Sequence, residues 1–441
     1  MAQKTVLVID GGGRGAALVA AYAKSLNVAK IIAIPGNDLM DVNASVPVQT
    51  FPKLKTTSIK EILAVCKKEK VDLIDVAQDN AVAAGVSDLL RKNGFVVFGP
   101  SRKAGQIEWD KTFSRNLLKN TRANQPGYEI FSSEEDGIAY IKSQPDKPRF
   151  VKAFGLAEGK GALPAKNSKE AIARIKELKR FGKEGKKYLI EDWLIGEEFS
   201  TYVISDGTNY QVIGSAQDHK RVFNKDLGEN TGGMGCSTPP LVLTKDVLLQ
   251  TYETIGDTLA ELKRQNRTYQ GILYFGGIVV EEDGEKKVYV IEYNARWGDP
   301  EAEVLLPGIK NDWFEVAWAC AKGKLDTVRV NVDTKARVVV AGVSKGYPDN
   351  YAKVKRKKIS GIEKVLKLKD IKFYSAGIKK VNNNYVANGG RLFYLVGEGK
   401  NVIEARKNVY EAMKLISIEG NNLHCRTDIG YRDIDRLSRK K

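Results

Sequence analysis

Glu292, Asn294 and Arg296 are spaced two apart in the stretch VYVIEYNARWGDPE, residues 288–301. Val288, Val290 and Ile291 read as a buried strand, and residues two apart in an extended chain share a face, so the three polar side chains are aimed together. A carboxylate beside an amide oxygen suits a hard cation such as Mg²⁺, which takes one or two protein oxygens and completes its shell from a nucleotide triphosphate. The guanidinium of Arg296 beside it could clamp a carboxylate or an acyl phosphate. Taken alone, Glu-x-Asn also fits an ordinary strand that ends in a charged turn at Gly298, Asp299 and Pro300.

Four further stretches carry chemistry. Lys152 lies in RFVKA, residues 149–153, followed by the glycine-rich run Gly155-Leu156-Ala157-Glu158-Gly159-Lys160-Gly161. A lysine on a strand before such a loop suits a flap over a triphosphate, the loop donating amides and the lysine a point charge. A Walker A loop is excluded, because Ala162 follows Gly161 where Lys-Ser/Thr would be needed. YLIEDWL, residues 188–194, runs into Gly196-Glu197-Glu198. The backbone there could pair with adenine and Glu198 could take ribose hydroxyls, although a solvated acidic turn fits as well. AQDHKR, 216–221, places Gln217, Asp218, His219, Lys220 and Arg221 behind a strand, and NTGGMG, 230–235, reads as a glycine nest of the kind that holds anions.

The elements that must position these residues alternate. A strand at 5–9 leads through Gly11-Gly12-Gly13-Arg14-Gly15 into a helix at 16–25, a phosphate cradle built from backbone amides and the helix dipole. The spacing Gly11-x-Gly13-x-x-Ala16 also meets the dinucleotide fingerprint. That reading needs an acidic residue at the end of the next strand, and 30–34 ends instead in Pro35-Gly36-Asn37. Helix 59–69, strand 72–76, turn 77–80, helix 83–93 and strand 95–98 continue an open parallel sheet with helices on both faces. Its carboxyl edge gathers Gly11, Gly12, Gly13, Pro35, Gly36, Asn37 and Asp79. Gly99-Pro100 marks a junction, after which a helix at 103–120 carries Lys111. Strands 271–280 and 288–294 are expected to pair antiparallel in a second sheet. After Lys324 the chain turns strand-rich, with strands at 336–344, 372–380 and 391–396 and a helix at 402–416, a small α+β unit that walls the site. The expected units are 1–104, 105–327 with a flap at about 125–192, and 328–441.

Composition sets limits. A chain of 441 residues with 42% hydrophobic and 28% charged residues is globular, and Lys+Arg 71 against Asp+Glu 54 gives +17. Such a charge points to anionic partners, but without a nucleic-acid motif the expected anions are small phosphorylated substrates. Cys66, Cys236, Cys320 and Cys425 are far apart and read as free thiols. Two histidines, His219 and His424, leave no set for a His-based metal site. No apolar run approaches the roughly 20 residues that span a bilayer. A cytoplasmic monomer is the expectation.

Together the lysine strand with its flap, the Glu-Asp-Trp-Leu hinge with Gly-Glu-Glu, and Glu292-x-Asn294-x-Arg296 resemble the ATP-grasp superfamily. AQDHKR, NTGGMG, EYNARWGDPE, Pro35-Gly36-Asn37 and Asp428-Ile429-Gly430-Tyr431 are similar, over essentially the whole chain, to the phosphoribosylamine–glycine ligase family. The resemblance implies an N-terminal open parallel sheet, a central ATP-grasp fold with a flap, and a small C-terminal α+β domain. It implies ATP at Lys111, Lys152, Gly159, Gly161, Glu191, Leu194 and Glu198, and Mg²⁺ or Mn²⁺ at Glu292 and Asn294. Catalytic roles fall to Arg296, Asp218 and Lys160. Substrate contacts fall to Gly11, Gly12, Gly13, Pro35, Gly36, Asn37, Asp79, His219, Lys220, Asn230, Thr231, Gly232, Gly233, Met234, Gly235 and Asp299. The implied reaction joins glycine to 5-phosphoribosylamine through glycyl phosphate. The chain departs from the family at Gly15-Ala16, where Glu-His is usual, at Ala77-Gln78-Asp79, where Gly-Pro-Glu is usual, and at Phe154, where Asp is usual. The alternatives are the same ligase chemistry on another phosphorylated amine or amino acid, a nicotinamide oxidoreductase, and a non-catalytic polyanion binder.

Overall fold

The computed structural model describes residues 3–156 and 161–439. Among them no helix is long and apolar enough to cross a membrane. The N-terminal sheet is parallel, its strands in the spatial order Val48–Thr50, Val28–Ala33, Lys4–Ile9, Leu73–Val76, Val96–Phe98. Val6 to Ile9 have no exposed surface, as a central strand covered on both faces requires. The edge strand Val48–Thr50, a short half-buried run, is absent from the sequence reading. The first helix, Gly13–Tyr22, begins three residues before the predicted start, so Gly13, Arg14 and Gly15 are its first turn and Gly12 its cap. Two predicted helices are each broken in two. Gly85, at φ 83°, separates Asp79–Ala84 from Val86–Lys92. Asp110 ends Gln106–Trp109 and caps Lys111–Leu118 by accepting from the Phe113 amide at 2.9 Å.

The flap is a sheet of its own, in the order Tyr128–Phe131, Tyr188–Asp192, Arg149–Ala153, Ala162–Ala165. The main sheet pairs Glu285–Asn294 with Gln270–Glu282, then Glu197–Asp206, Tyr210–Asp218 and Gly235–Thr238. It does not stop there. Gly235–Thr238 pairs antiparallel with Ala336–Ser344, which continues into Arg391–Gly399 and Ile371–Ser375, so one sheet runs through the central and C-terminal parts of the chain. The predicted strand 372–380 is two strands, Ile371–Ser375 and Ile378–Val381, the second in a separate small sheet. Trp297, 1% exposed, stacks on Tyr202 at 5.4 Å between ring centres and tilts against Trp313 at 5.8 Å. This aromatic block fixes the turn after Arg296 against the underside of the N-terminal sheet through Phe98 and Tyr22.

Candidate active site

Glu292 and Asn294 share the half-exposed face of their strand, and Arg296, in the bend just past its end, is half-buried like them, while Tyr293, Ala295 and Trp297 are buried, so the alternation with a period of two continues past the strand. A bulge opposite Gly276 and Gly277 lies immediately before Glu292. The Asn294 amide donates to Glu292 Oε1 at 3.4 Å. Lys220 Nζ stands 4.0 Å from the same oxygen and 3.1 Å from Glu198. Burial would raise the Glu292 carboxyl, but Lys220, Lys152 and Lys111 outweigh it and hold the group below the usual carboxylate range. Two adjacent oxygen donors facing a cleft of cations fit a Mg²⁺ or Mn²⁺ that needs phosphate oxygens to complete its shell. Among the described residues no cluster of three His, Cys, Asp or Glu side chains is placed to hold an ion without them.

Behind this face lies an ion hub that the sequence reading missed. Glu191, 2% exposed, takes Arg115 Nε at 2.8 Å and Nη2 at 3.1 Å on its two oxygens, and Lys152 Nζ at 2.6 Å. Arg115 also donates to the carbonyls of Val290 and Ile291, at 2.9 and 2.8 Å. It therefore ties the flap sheet to the strand that carries Glu292. The Glu191 side chain is thus engaged by protein and is not open to nucleotide, a correction to its expected role; it orients Lys152 instead. Burial opposes its ionisation, yet Arg115 and Lys152 bring it down to about 2. Glu191→Gln is expected to lower stability at neutral pH by about 3 kcal/mol. Because the folded value is depressed, the contribution is whole above the unfolded value of 4.5 and is lost as pH falls towards 2. Denaturant melts should show the gap between wild type and variant shrinking to about half by pH 3.

Lys111, at the start of its helix, donates to the Gly155 carbonyl at 2.9 Å at the root of the flap. Burial lowers its pKa against the pull of Glu292. Gly161 is buried, its carbonyl accepting from Ala153 at 2.9 Å, and Leu194 is half-buried past the end of Tyr188–Asp192. Gly159 and Lys160 lie outside the described residues. Arg296 is held by Glu108, with Nη2 to Oε1 at 2.9 Å, while the other oxygen of Glu108 accepts from the Ala295 amide at 2.8 Å. Burial pushes Glu108 up to about 7 although Arg296 pulls it down. Nε of Arg296 is buried without a partner among the described residues. Asp79, at the N-terminal sheet edge, adds its charge to Arg296.

The other end of the cleft differs from expectation. The loop 230–235 is not an anion nest. Thr231 donates its amide to the Lys220 carbonyl, Gly232 to the Tyr347 hydroxyl, Gly233 to the Thr231 hydroxyl and Met234 to the His219 carbonyl, so each amide has a protein acceptor. The loop shapes a wall instead. At Gly233, φ 112°, a Cβ would meet Pro300 Cδ at 2.4 Å and Asp218 Oδ1 at 3.0 Å. Met234 is fully buried, and Asn230 and Gly235 are strand residues. His219 is also fully buried; its Nε2 accepts from the Gly430 amide at 3.2 Å and its ring meets Tyr431 edge-on. It fastens the C-terminal segment. Asp218 Oδ1 is buried with no partner among the described residues, and burial together with Glu301 raises that carboxyl well above the usual range. At the first turn, Arg14 is tied to Asp10 at 2.8 Å and to the Trp297 carbonyl at 2.9 Å. Asn37 donates to the carbonyls of Gly11 and Ser375, at 3.1 and 3.2 Å. Asp299 accepts from Tyr394 at 2.6 Å and pairs with Arg391 at 3.1 Å.

Family models for phosphoribosylglycinamide synthetase match residues 4–108 (N domain), 109–302 (ATP-grasp domain) and 337–432 (C domain). The chain belongs to the phosphoribosylglycinamide synthetase family. It is 34% identical over 433 residues to the phosphoribosylamine–glycine ligase of Chlorobaculum tepidum, covering 97% of this chain and 99% of that protein. With the same-named enzyme of Vibrio vulnificus it shares 35% over 439 residues, 99% and 100% of the two chains. The crystal structure of phosphoribosylamine–glycine ligase from Thermotoga maritima superposes with a TM-score of 0.78 at 26% identity, covering 96% of this chain and 100% of that one. A biotin carboxylase domain from Hydrogenobacter thermophilus, solved with MgADP, shares the fold at a TM-score of 0.71 and 16% identity, covering 96% and 92%. The glutamate–asparagine strand end and the lysines around it, Lys111, Lys152 and Lys220, all lie within the residues that match the ATP-grasp domain of a phosphoribosylglycinamide synthetase. Arg115 and Glu108 escaped notice because neither lies in a motif. Arg115 could have been flagged only as a basic residue one helical turn after Lys111 on a helix with few other charges.

Proposed function

We propose that the chain joins glycine to 5-phosphoribosylamine at the expense of ATP, giving glycinamide ribonucleotide, ADP and phosphate. The observation that carries this reading is the convergence of Lys111, Lys152 and Lys220 on Glu292 and Asn294, with Arg296 two residues beyond, in a chain of this family. Glycine's carboxylate is a poor electrophile until phosphorylated. One of its oxygens takes the terminal phosphoryl of ATP as the bond to ADP breaks; the amine then attacks the glycyl carbonyl, phosphate leaves and the nitrogen gives up a proton. Bound at Glu292 and Asn294, Mg²⁺ would neutralise charge on the phosphate oxygens. The chain's own groups do the rest. Lys111 and Lys152 present fixed positive charge, Arg296 orients the carboxylate, and Asp218 stands ready to receive the glycine ammonium. Lys160 and Gly159 are assigned to the flap on sequence alone.

Lys152→Ala should raise the apparent ATP constant about tenfold or more, the worth of one charge-assisted hydrogen bond, and by more than Lys160→Ala does. Arg115 still pairs Glu191 in that variant, so the fold should persist. An ATP titration at saturating glycine decides it, and unchanged constants would remove the flap assignment. The function itself is tested by ADP release with phosphoribosylamine and a panel of amino acids. Release that depends on glycine and phosphoribosylamine together is the expected result. Glycine-dependent release that answers only to another phosphorylated amine would redirect the reading to that acceptor.

A further inference from the structure

Three carboxylates ring the first turn of helix Gly13–Tyr22. Asp10 Oδ1 accepts from the Gly12 amide at 2.5 Å, Asp299 Oδ2 would lie 3.3 Å from a Cβ on Gly12, and Glu303 Oε1 2.5 Å from a Cβ on Gly13. Glu303 has no exposed surface, and among the described residues neither of its oxygens has a hydrogen-bond partner. The nearby cations are already engaged: Arg14 by Asp10 and the Trp297 carbonyl, Arg391 by Asp299 and the Gly232 carbonyl. A phosphate dianion at this turn would find backbone amides, two arginines already engaged by protein, and three carboxyl groups. A sugar hydroxyl finds what it needs there, since a carboxyl with both oxygens unengaged is a waiting hydrogen-bond partner.

We propose that Glu303 is a specificity residue for the acceptor, taking a ribose hydroxyl at the first turn while the 5-phosphate is directed away from it. This rests on the acceptor being a phosphoribosylamine, and it reverses the sequence expectation that Gly11, Gly12 and Gly13 cradle the phosphate. Gly11 and Gly12, the half-exposed part of the turn, are the side from which the sugar approaches. A site built around a hydroxyl rejects analogues that lack it, because its own polar group is left unpaired.

The test is calorimetric binding of ribose 5-phosphate, 2-deoxyribose 5-phosphate, 3-deoxyribose 5-phosphate and inorganic phosphate to the full chain, Glu303→Gln and Glu303→Met. Wild type should prefer ribose 5-phosphate to at least one deoxy analogue by about tenfold or more. Glu303→Gln, which keeps a donor and an acceptor, should retain most of that preference, and Glu303→Met should abolish it, with inorganic phosphate bound alike by all three. In turnover, Glu303→Met should raise the acceptor KM and leave the glycine and ATP constants unchanged. If removing the carboxyl instead tightens inorganic phosphate and every sugar phosphate together, the phosphate sits on the turn and the proposal falls. Equal wild-type affinity for all the sugar phosphates overturns it too. No binding of any sugar phosphate by wild type, with no response of ADP release to phosphoribosylamine, overturns the functional reading and this inference with it.

Discussion

Arg296→Ala is expected to lower turnover by about 10²–10³, the usual loss when one group that stabilises developing charge is removed. The substitution takes away the guanidinium that orients the glycine carboxylate and strips Glu108 of its ion-pair partner. An unpaired buried carboxylate would ordinarily destabilise a fold by several kcal/mol. Glu108 is already pushed up to about 7 by burial, so it protonates instead. The stability loss should therefore stop at about 1–3 kcal/mol, that of an unsatisfied neutral polar group. Arg296→Lys separates the two effects, because it retains the charge near Glu108 while losing the fork that grips two oxygens at once. Steady-state ADP release and thermal melts of both variants check this. A rise in the glycine KM at unchanged kcat would show that Arg296 only binds glycine and does nothing further in the transition state.

Glu292→Gln should also cost about 10²–10³ in turnover, with little change in the melting transition. The side chain is 38% exposed and pairs only loosely with Lys220, so the fold does not depend on it. The amide keeps an oxygen but not the charge, and the loss should be partly recovered as Mg²⁺ is raised. Turnover close to wild type at limiting Mg²⁺ would exclude Glu292 as a ligand.

Local regularities were legible in the sequence. The period of two places Glu292, Asn294 and Arg296 on one face, and apolar runs with glycine turns give the parallel N-terminal sheet. What escaped depends on partners distant in the chain. Glu191 looks like a nucleotide contact until Arg115, 76 residues earlier, closes on it. The amides of Thr231 to Met234 look free until Lys220, His219 and Tyr347 supply acceptors. Arg14, inside the predicted phosphate cradle, is claimed by Asp10 and by the Trp297 carbonyl, the latter 283 residues away. Charged residues announce that they need a partner, but the sequence does not say which, and at a site made of salt bridges that choice decides the role.

The pairing of Gly235–Thr238 with Ala336–Ser344 has a consequence for anyone dissecting this protein. The backbone ladder passes without a break from the residues matched as the ATP-grasp domain, 109–302, into those matched as the C domain, 337–432, and Asp218 lies one strand away from the seam, opposite Cys236. A fragment ending there would carry an open edge of unmet amides and carbonyls, an invitation to aggregate. The piece removed would lose the strand it grew from. The C-terminal third is thus part of the same sheet as Asp218, whereas the N-terminal sheet and the flap sheet share no strand with it.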